Sequence, residues 1–426
     1  MKLLIKNGYI VDPASEFEGK ADLYIEDGRI AEVGPSLDVE AERVFDAAGC
    51  VVMPGLVDLH VHLRDPGLEY KEDVFSGCRA AARGGITSLL AMANTKPVID
   101  TPERARYVVN KAASAGHIHV YQAGAITKGL KGEELADIRA MIESGVKAFS
   151  EDGKSVMNSA LLAEAMSICA EYHVPVMSHC EDINLVRGGV MNADENAARL
   201  GLKGITNGVE DIIELRDAIL ARETGCHLHL CHCSTKDSPA IIKEARKMGV
   251  SISAEVCPHH FTLTSDDITG DDGNFKMNPP LRTPEDKAAL IKALKDGTID
   301  VISTDHAPHS REEKNRGIKD SAFGIVGIET SAALTYTELV KSGILTLSQM
   351  VERMSLTPAK ILGIDAGTLK VGHPADVAVF DFENPYVIDP SEFASKGRNT
   401  PFGGRKVYGR TKLTVSGGFI EWEEKV

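Results

Sequence analysis

Between residues 54 and 364 the chain repeats one pattern, a short apolar run followed by an amphipathic stretch of helical spacing. The runs fall at 56–63, 86–92, 117–123, 145–149, 174–179, 226–232, 251–256 and 299–304. Helical stretches follow them, among them EDVFSGCRAAARG, PERARYVVNKAASAG, ALLAEAMSICAEYH and VEDIIELRDAILARETG. Gly84, Gly116, Gly225 and Gly249 stand where helix C-caps are needed. Such alternation calls for parallel strands, because each helix returns the chain to the start of the next strand. Eight units predict an α/β fold of the (β/α)8, TIM-barrel type. A doubly wound open sheet is the rival, but no GxGxxG follows the first strand and eight regular units favour closure.

The two chain ends read differently. KLLIKNGYIV, ADLYIEDGRIAEVG and VFDAAGCVVM at one end, and TLKVGHPADVAVFD and RKVYGRTKLTVSGGFIEWE at the other, look like short strands. Asn7-Gly8 and Asp27-Gly28 predict tight hairpin turns, since both turn positions require positive φ. Neither block is large enough to hold a core alone. Residues 1–53 and 365–426 are therefore expected to meet in one composite β-sandwich subdomain, with 54–364 as the barrel.

Composition narrows the function classes. A formal net charge of -15 argues against a nucleic-acid partner, because phosphate binding needs a basic surface. The opening MKLLIKNGYIVDP is too briefly apolar for a secretory segment, and no run approaches a membrane span, so a cytoplasmic protein without a membrane partner is expected. Eight cysteines in a chain of 426 residues fit reduced thiols better than a disulfide framework.

The chemistry concentrates at strand ends. In GLVDLHVHLRDPG, strand alternation places Asp58, His60 and His62 on one face and Val57, Leu59, Val61 and Leu63 on the other. In a barrel the first set points inward and the second packs on helices. His179 closes VPVMSHCED, His232 closes HLHLCHCS, Asp305 closes DVISTDHAPH, and Asp152 follows in KAFSEDG. Imidazoles and carboxylates from five strand ends would converge at the barrel mouth, a donor set suited to zinc or a similar divalent ion. They suffice for two ions sharing a bridging carboxylate. Asp305 suits a general acid/base that takes the nucleophile's proton and passes it to a leaving nitrogen. Cys231-His232-Cys233 offers a competing soft zinc site, although alternation would turn His232 away from both cysteines. His259-His260 could approach the metals, with packing or support of other ligands as the plainer reading.

Together DLHVHLRDPG, AMANTKP, FSEDGKSV, SHCED, CHCSTKDS, KMNPPLR, STDHAPH and FGIVGIET resemble the dihydroorotase family of the amidohydrolase superfamily, in its bacterial, aspartate-bridged type. The resemblance spans the whole chain. It implies reversible cyclisation of N-carbamoyl-L-aspartate to L-dihydroorotate in pyrimidine biosynthesis, with two zinc ions per subunit. By motif, His60, His62, Asp152, His179, His232 and Asp305 correspond to metal ligands, Asp305 also to the acid/base, and Arg64, Asn94, Asn278 and His309 to substrate contacts. Arg64 offers a planar fork for a carboxylate, and the two asparagines can each donate and accept. Many relatives bridge their metals through a carboxylated lysine, so Lys147 competes with Asp152; the continuation FSEDGKSV fits the aspartate better. Glu151 stands where relatives often have a second aspartate, and Ala322 where proline is common. The resemblance further implies a homodimer and association with aspartate transcarbamoylase. The competing functions are a hydantoinase, dihydropyrimidinase or allantoinase acting on other cyclic amides, and an inactive scaffold, against which the presence of every metal histidine argues.

Overall fold

The computed structural model describes residues 1–425; Val426, the last residue of the expected terminal subdomain, lies outside the described residues. Eight parallel strands form one sheet: β1 (Leu56–Val61), β2 (Ile86–Ala91), β3 (His119–Ala125), β4 (Ala148–Ser150), β5 (Val176–Ser178), β6 (Leu228–Leu230), β7 (Ile252–Val256) and β8 (Val301–Ile302). They neighbour one another in sequence order. The ends of the sheet meet just beyond β8, where Val61 bridges His306 and His62 N donates to His306 O at 2.9 Å. This is the expected barrel. Two of its helices begin at side-chain caps: Asp73 and Ser76 form a reciprocal box before Val74–Arg83, and Thr101 caps Pro102–Ala113. Gly225 ends Gly208–Thr224 in the left-handed conformation, as expected, whereas after Val74–Arg83 that conformation falls to Gly85 rather than Gly84.

Two apolar layers flank the barrel wall. Leu56, Val61 and Leu63 pack with helix residues such as Val74, Ala81 and Val108. Val57 and Leu59 do not join them. They group with Leu90, Met92, Ala123, Ala148, Met177, Cys231 and Val301, a layer drawn from or just beyond seven of the strands, and with Ala359 and Leu362. They therefore fill the barrel interior rather than its outside. The cause is a shift in the β1–β2 pairing between Asp58 and Val61, which breaks strict alternation midway along the strand.

Strands from both chain ends build a second sheet in the order Phe419–Glu423, Lys406–Ser416, Val377–Val387, Val51–Pro54, Leu3–Asp12, Phe17–Glu26, Arg29–Gly34, with Arg43–Asp46 also paired to Leu3–Asp12. The expected sandwich is thus one continuous hydrogen-bonded sheet around Leu3, Ile10, Leu23, Val52, Val379 and Leu413. Asp27-Gly28 makes the expected two-residue hairpin, closed by Glu26 opposite Arg29. Asn7-Gly8 does not. Asn7 takes φ 61 inside a strand that continues to Asp12, and the pairing shifts there by a bulge. Gly8 is required by contact instead: a Cβ would lie 2.5 Å from Val52 Cγ2. No helix among the described residues is long and apolar enough to cross a membrane.

Candidate active site

Asp152 lies just past β4 and is the centre of a buried polar cluster. Its Oδ1 stands 3.1 Å from His60 Nε2, 3.4 Å from His179 Nδ1 and 3.8 Å from His232 Nε2. Its Oδ2 stands 3.5 Å from His62 Nε2. Asp305 Oδ1 closes the other side, 3.1 Å from His62 Nε2 and 3.7 Å from His60 Nε2. His179 Nδ1 and His232 Nε2 are 2.8 Å apart. All six predicted ligands are thus brought together, with His60 common to a His60–His62–Asp305 group and a His60–Asp152–His232 group. Around a tetrahedral zinc ion with bonds of about 2.0–2.1 Å, ligand atoms stand about 3.3 Å apart, so this spacing and this nitrogen–oxygen donor set fit such an ion. Lys147 lies half-buried just before β4, and no side-chain hydrogen bond joins it to the six clustered residues among the described residues.

The backbone is bent to aim these groups. Arg64, His232 and Asp305 adopt φ of 61, 36 and 48, a region costing non-glycine residues about 1–3 kcal/mol and concentrated at functional sites. The bend also separates the tripeptide Cys231-His232-Cys233: Cys231 packs in the barrel interior and Cys233 in the outer layer, so the two thiols do not serve one site. Asp58 ties the sheet's ends, accepting from Thr304 N at 3.1 Å, Thr304 Oγ1 at 2.6 Å and His60 N at 3.1 Å.

Each imidazole is held from behind. Glu255, within β7, accepts at His60 Nδ1 (2.8 Å), at His229 Nε2 (3.2 Å) and from His232 N (3.2 Å). Asn94 Oδ1 is 2.9 Å from His62 Nδ1 while its Nδ2 donates to Asp152 Oδ2 at 3.0 Å. Glu181 stands 3.3 Å from His179 Nε2 and accepts from Asn278 Nδ2 at 3.0 Å. Such outer bonds fix ring orientation and tautomer. Burial opposes charge on Asp152, yet His60, His179 and His232 hold its carboxyl well below the usual range. Burial likewise opposes the His60 cation, and Asp152 nevertheless raises it well above an ordinary imidazole. Burial works against Asp305 too, and His62 and His60 lower it. The cluster therefore keeps both carboxylates ionised.

The predicted substrate contacts divide. Asn94 lies against His62, as just described, and Asn278 Nδ2 lies 3.5 Å from His179 Nε2. Arg64 and His309 sit together beside them, both 8% exposed, so neither is a solvated surface group. Arg64 Nε donates to Pro308 O at 3.2 Å, and its Nη2 lies 3.3 Å from His309 Nε2. His309 Nε2 donates to Phe323 O at 2.7 Å, which leaves Nδ1 to accept from Lys71 Nζ at 3.3 Å. Burial, then Arg64 and Lys71, push the His309 pKa down to about 3, so the ring is neutral. Glu151 turns away, accepting from Thr127 N at 3.0 Å. His260 Nε2 donates to Pro279 O at 3.1 Å, and no bond joins His259 or His260 to the six clustered residues among the described contacts.

Sequence reasoning missed Glu255 and Glu181. Glu255 had a readable signal, an acid in the apolar run ISAEV, where only a buried partner accounts for a charge. Glu181 lies in SHCED, two residues past His179, with nothing in its spacing to point it back.

A Dihydro-orotase-like family profile matches residues 49–238. Over full length the chain is 47% identical to the dihydroorotases of Pelotomaculum thermopropionicum and Ruminiclostridium cellulolyticum, each covered completely on both sides. It is 45% identical to that of Geobacillus kaustophilus, covering 99% of that protein. Among solved structures it is similar to the L-hydantoinase (dihydropyrimidinase) from Arthrobacter aurescens, with a TM-score of 0.89, 29% identity, and 100% of this chain and 96% of that one covered. The D-hydantoinase (dihydropyrimidinase) from Thermus sp. follows at TM-score 0.86 and 27% identity, covering 98% and 94%.

Proposed function

The chain belongs to the dihydroorotase family, and from that membership we infer that it interconverts N-carbamoyl-L-aspartate and L-dihydroorotate at the mouth of its barrel. The observation that carries this reading is the Asp152 carboxylate, faced by four imidazoles and standing beside Asn94, with Asp305 opposite. We assign His60, His62, Asp152, His179, His232 and Asp305 as the residues that would hold two zinc ions, with Asp152 preferred to a carboxylated Lys147 as a ligand. Zinc bound there supplies Lewis acidity toward the ring carbonyl and lowers the pKa of water to about 7.

The chain's own groups do the rest. In ring opening, water adds to the carbonyl carbon, the carbon–nitrogen bond breaks, and the departing nitrogen needs a proton. Asp305, ionised at rest, accepts the proton of the attacking water and delivers it to that nitrogen. Ring closure runs the same transfers backwards. Arg64 pairs with the substrate carboxylate, its fork matching two oxygens. Asn94, Asn278 and neutral His309 offer donors and acceptors to the ring edge.

The hydantoinase reading draws on the structural likeness to those enzymes. It differs in substrate charge, because Arg64 is wasted on a ring without a carboxylate. The deciding experiment is metal analysis of the purified protein combined with assays on dihydroorotate, carbamoyl aspartate and hydantoin. About two zinc ions per chain with turnover of the first two substrates is expected; brisk hydantoin opening with dihydroorotate untouched would overturn the reading. We also propose a homodimer that associates with aspartate transcarbamoylase, in a cytoplasm that keeps the eight thiols reduced. The proposed division is 1–53 with 365–426 as one unit and 54–364 as the other.

A further inference from the structure

Two buried side chains outside the cluster grip the loop that carries His309. Asn399 comes from the far C-terminal segment, 3% exposed, and every hydrogen-bonding position of its amide is directed at that loop or its return. Its Nδ2 donates to Ala307 O and to Gly324 O, both at 3.0 Å, and its Oδ1 accepts from His309 N at 3.1 Å. Its own carbonyl accepts from Val326 N at 2.9 Å. Lys314 enters on the same loop, 4% exposed. Its Nζ donates to Lys276 O at 3.0 Å, Ala322 O at 2.8 Å and Gly324 O at 2.8 Å. Three ammonium protons meet three carbonyls, and none of these partners is a carboxylate.

Burying an ammonium without a counter-charge is costly, and burial together with Lys276 pulls the Lys314 pKa down to about 7. Ordinary loop packing does not require it. What the two residues share is Gly324 O, and the preceding carbonyl, Phe323 O, is the acceptor for His309 Nε2. The 323–324 peptides are therefore a joint, gripped by Asn399 and Lys314 and read by the imidazole.

We propose that Asn399 and Lys314 are positioning residues that fix the orientation and the Nε2–H tautomer of His309 through the Phe323–Gly324 peptides. The proposal rests on the reading of His309 as a substrate contact and extends the site to two residues that touch no substrate. With Nε2–H committed to Phe323 O, Nδ1 is left as the acceptor; loosening the joint lets the ring turn and exchange tautomers.

The test uses the full-length, metal-loaded enzyme. Asn399→Ala and Lys314→Met should each raise KM for dihydroorotate about tenfold with kcat changed less than about threefold. Placed on a His309→Ala background, either substitution should add little further, because residues acting through one group are not additive. In 15N-histidine spectra the Nε2–H resonance, assigned by its loss in His309→Ala, should broaden or shift in Asn399→Ala. If one variant fails to fold, the other carries the measurement. An unchanged KM and an unchanged resonance would overturn the proposal, as would full additivity on the His309→Ala background. A resonance that moves while His309→Ala itself leaves KM untouched would uphold the clamp and overturn His309 as a substrate contact.

Discussion

The two ends of the barrel interior are made from the same strands and obey opposite rules. At the lower end Val57, Leu59, Leu90, Ala123, Met177 and Val301 form an apolar layer. At the upper end His60, His62, Asp152, His179, His232 and Asp305 crowd within hydrogen-bonding or ligating distance, three charged or polar site residues holding left-handed backbone. One end contributes stability by burial and the other holds function at a cost in stability. A boundary as narrow as one residue, between Leu59 and His60, separates them.

The sharpest way to break that contrast is at the upper end. Asp305→Ala should lower kcat at least about a thousandfold, within the range expected for a lost acid/base, while the melting temperature holds or rises; a near-normal rate would remove Asp305 from proton transfer. At the lower end Leu59→Ala should cost roughly 2–5 kcal/mol in denaturant unfolding while the folded fraction keeps its kcat. Loss of kcat there without loss of stability would show that the ends are not separable. Arg64→Ala belongs to the upper end but acts on binding: KM for dihydroorotate should rise about 10- to 100-fold, roughly 1.4–2.8 kcal/mol, with kcat less affected. The smallest effect is expected outside the barrel. Gly8→Ala in the terminal sheet should cost about 1 kcal/mol, since the new methyl meets only side-chain atoms, Val52 Cγ2 at 2.5 Å and Ala47 Cβ at 3.3 Å, and should leave both kinetic constants alone.

How much of this was legible in the chain follows from what each feature depends on. The eight strands and the converging ligands were readable, because apolar period and strand-end chemistry are local. The side each residue faces in β1 was not: alternation put Val57 and Leu59 outside, and a pairing shift with β2 put them inside. Asn7-Gly8 carries the chemistry of a hairpin turn, yet the same left-handed residue serves a bulge when partners lie on both sides of the strand. Asn399 and Lys314 left no trace at all, since their partners are carbonyls 75 and 92 positions away in one case and 8 to 38 in the other. Backbone acceptors have no letter in a sequence.

The seam where β1 meets the chain after β8 has a consequence for synthesis. Asp58 reaches Thr304 and His62 reaches His306 across some 244 positions, so the contacts that close the barrel also bring Asp305 to His60 and His62. A nascent chain arrested anywhere before that point carries His60 and His62 without Asp305. It offers a metal only part of its cage, because the seam that completes the cluster depends on residues near the end of the strand series.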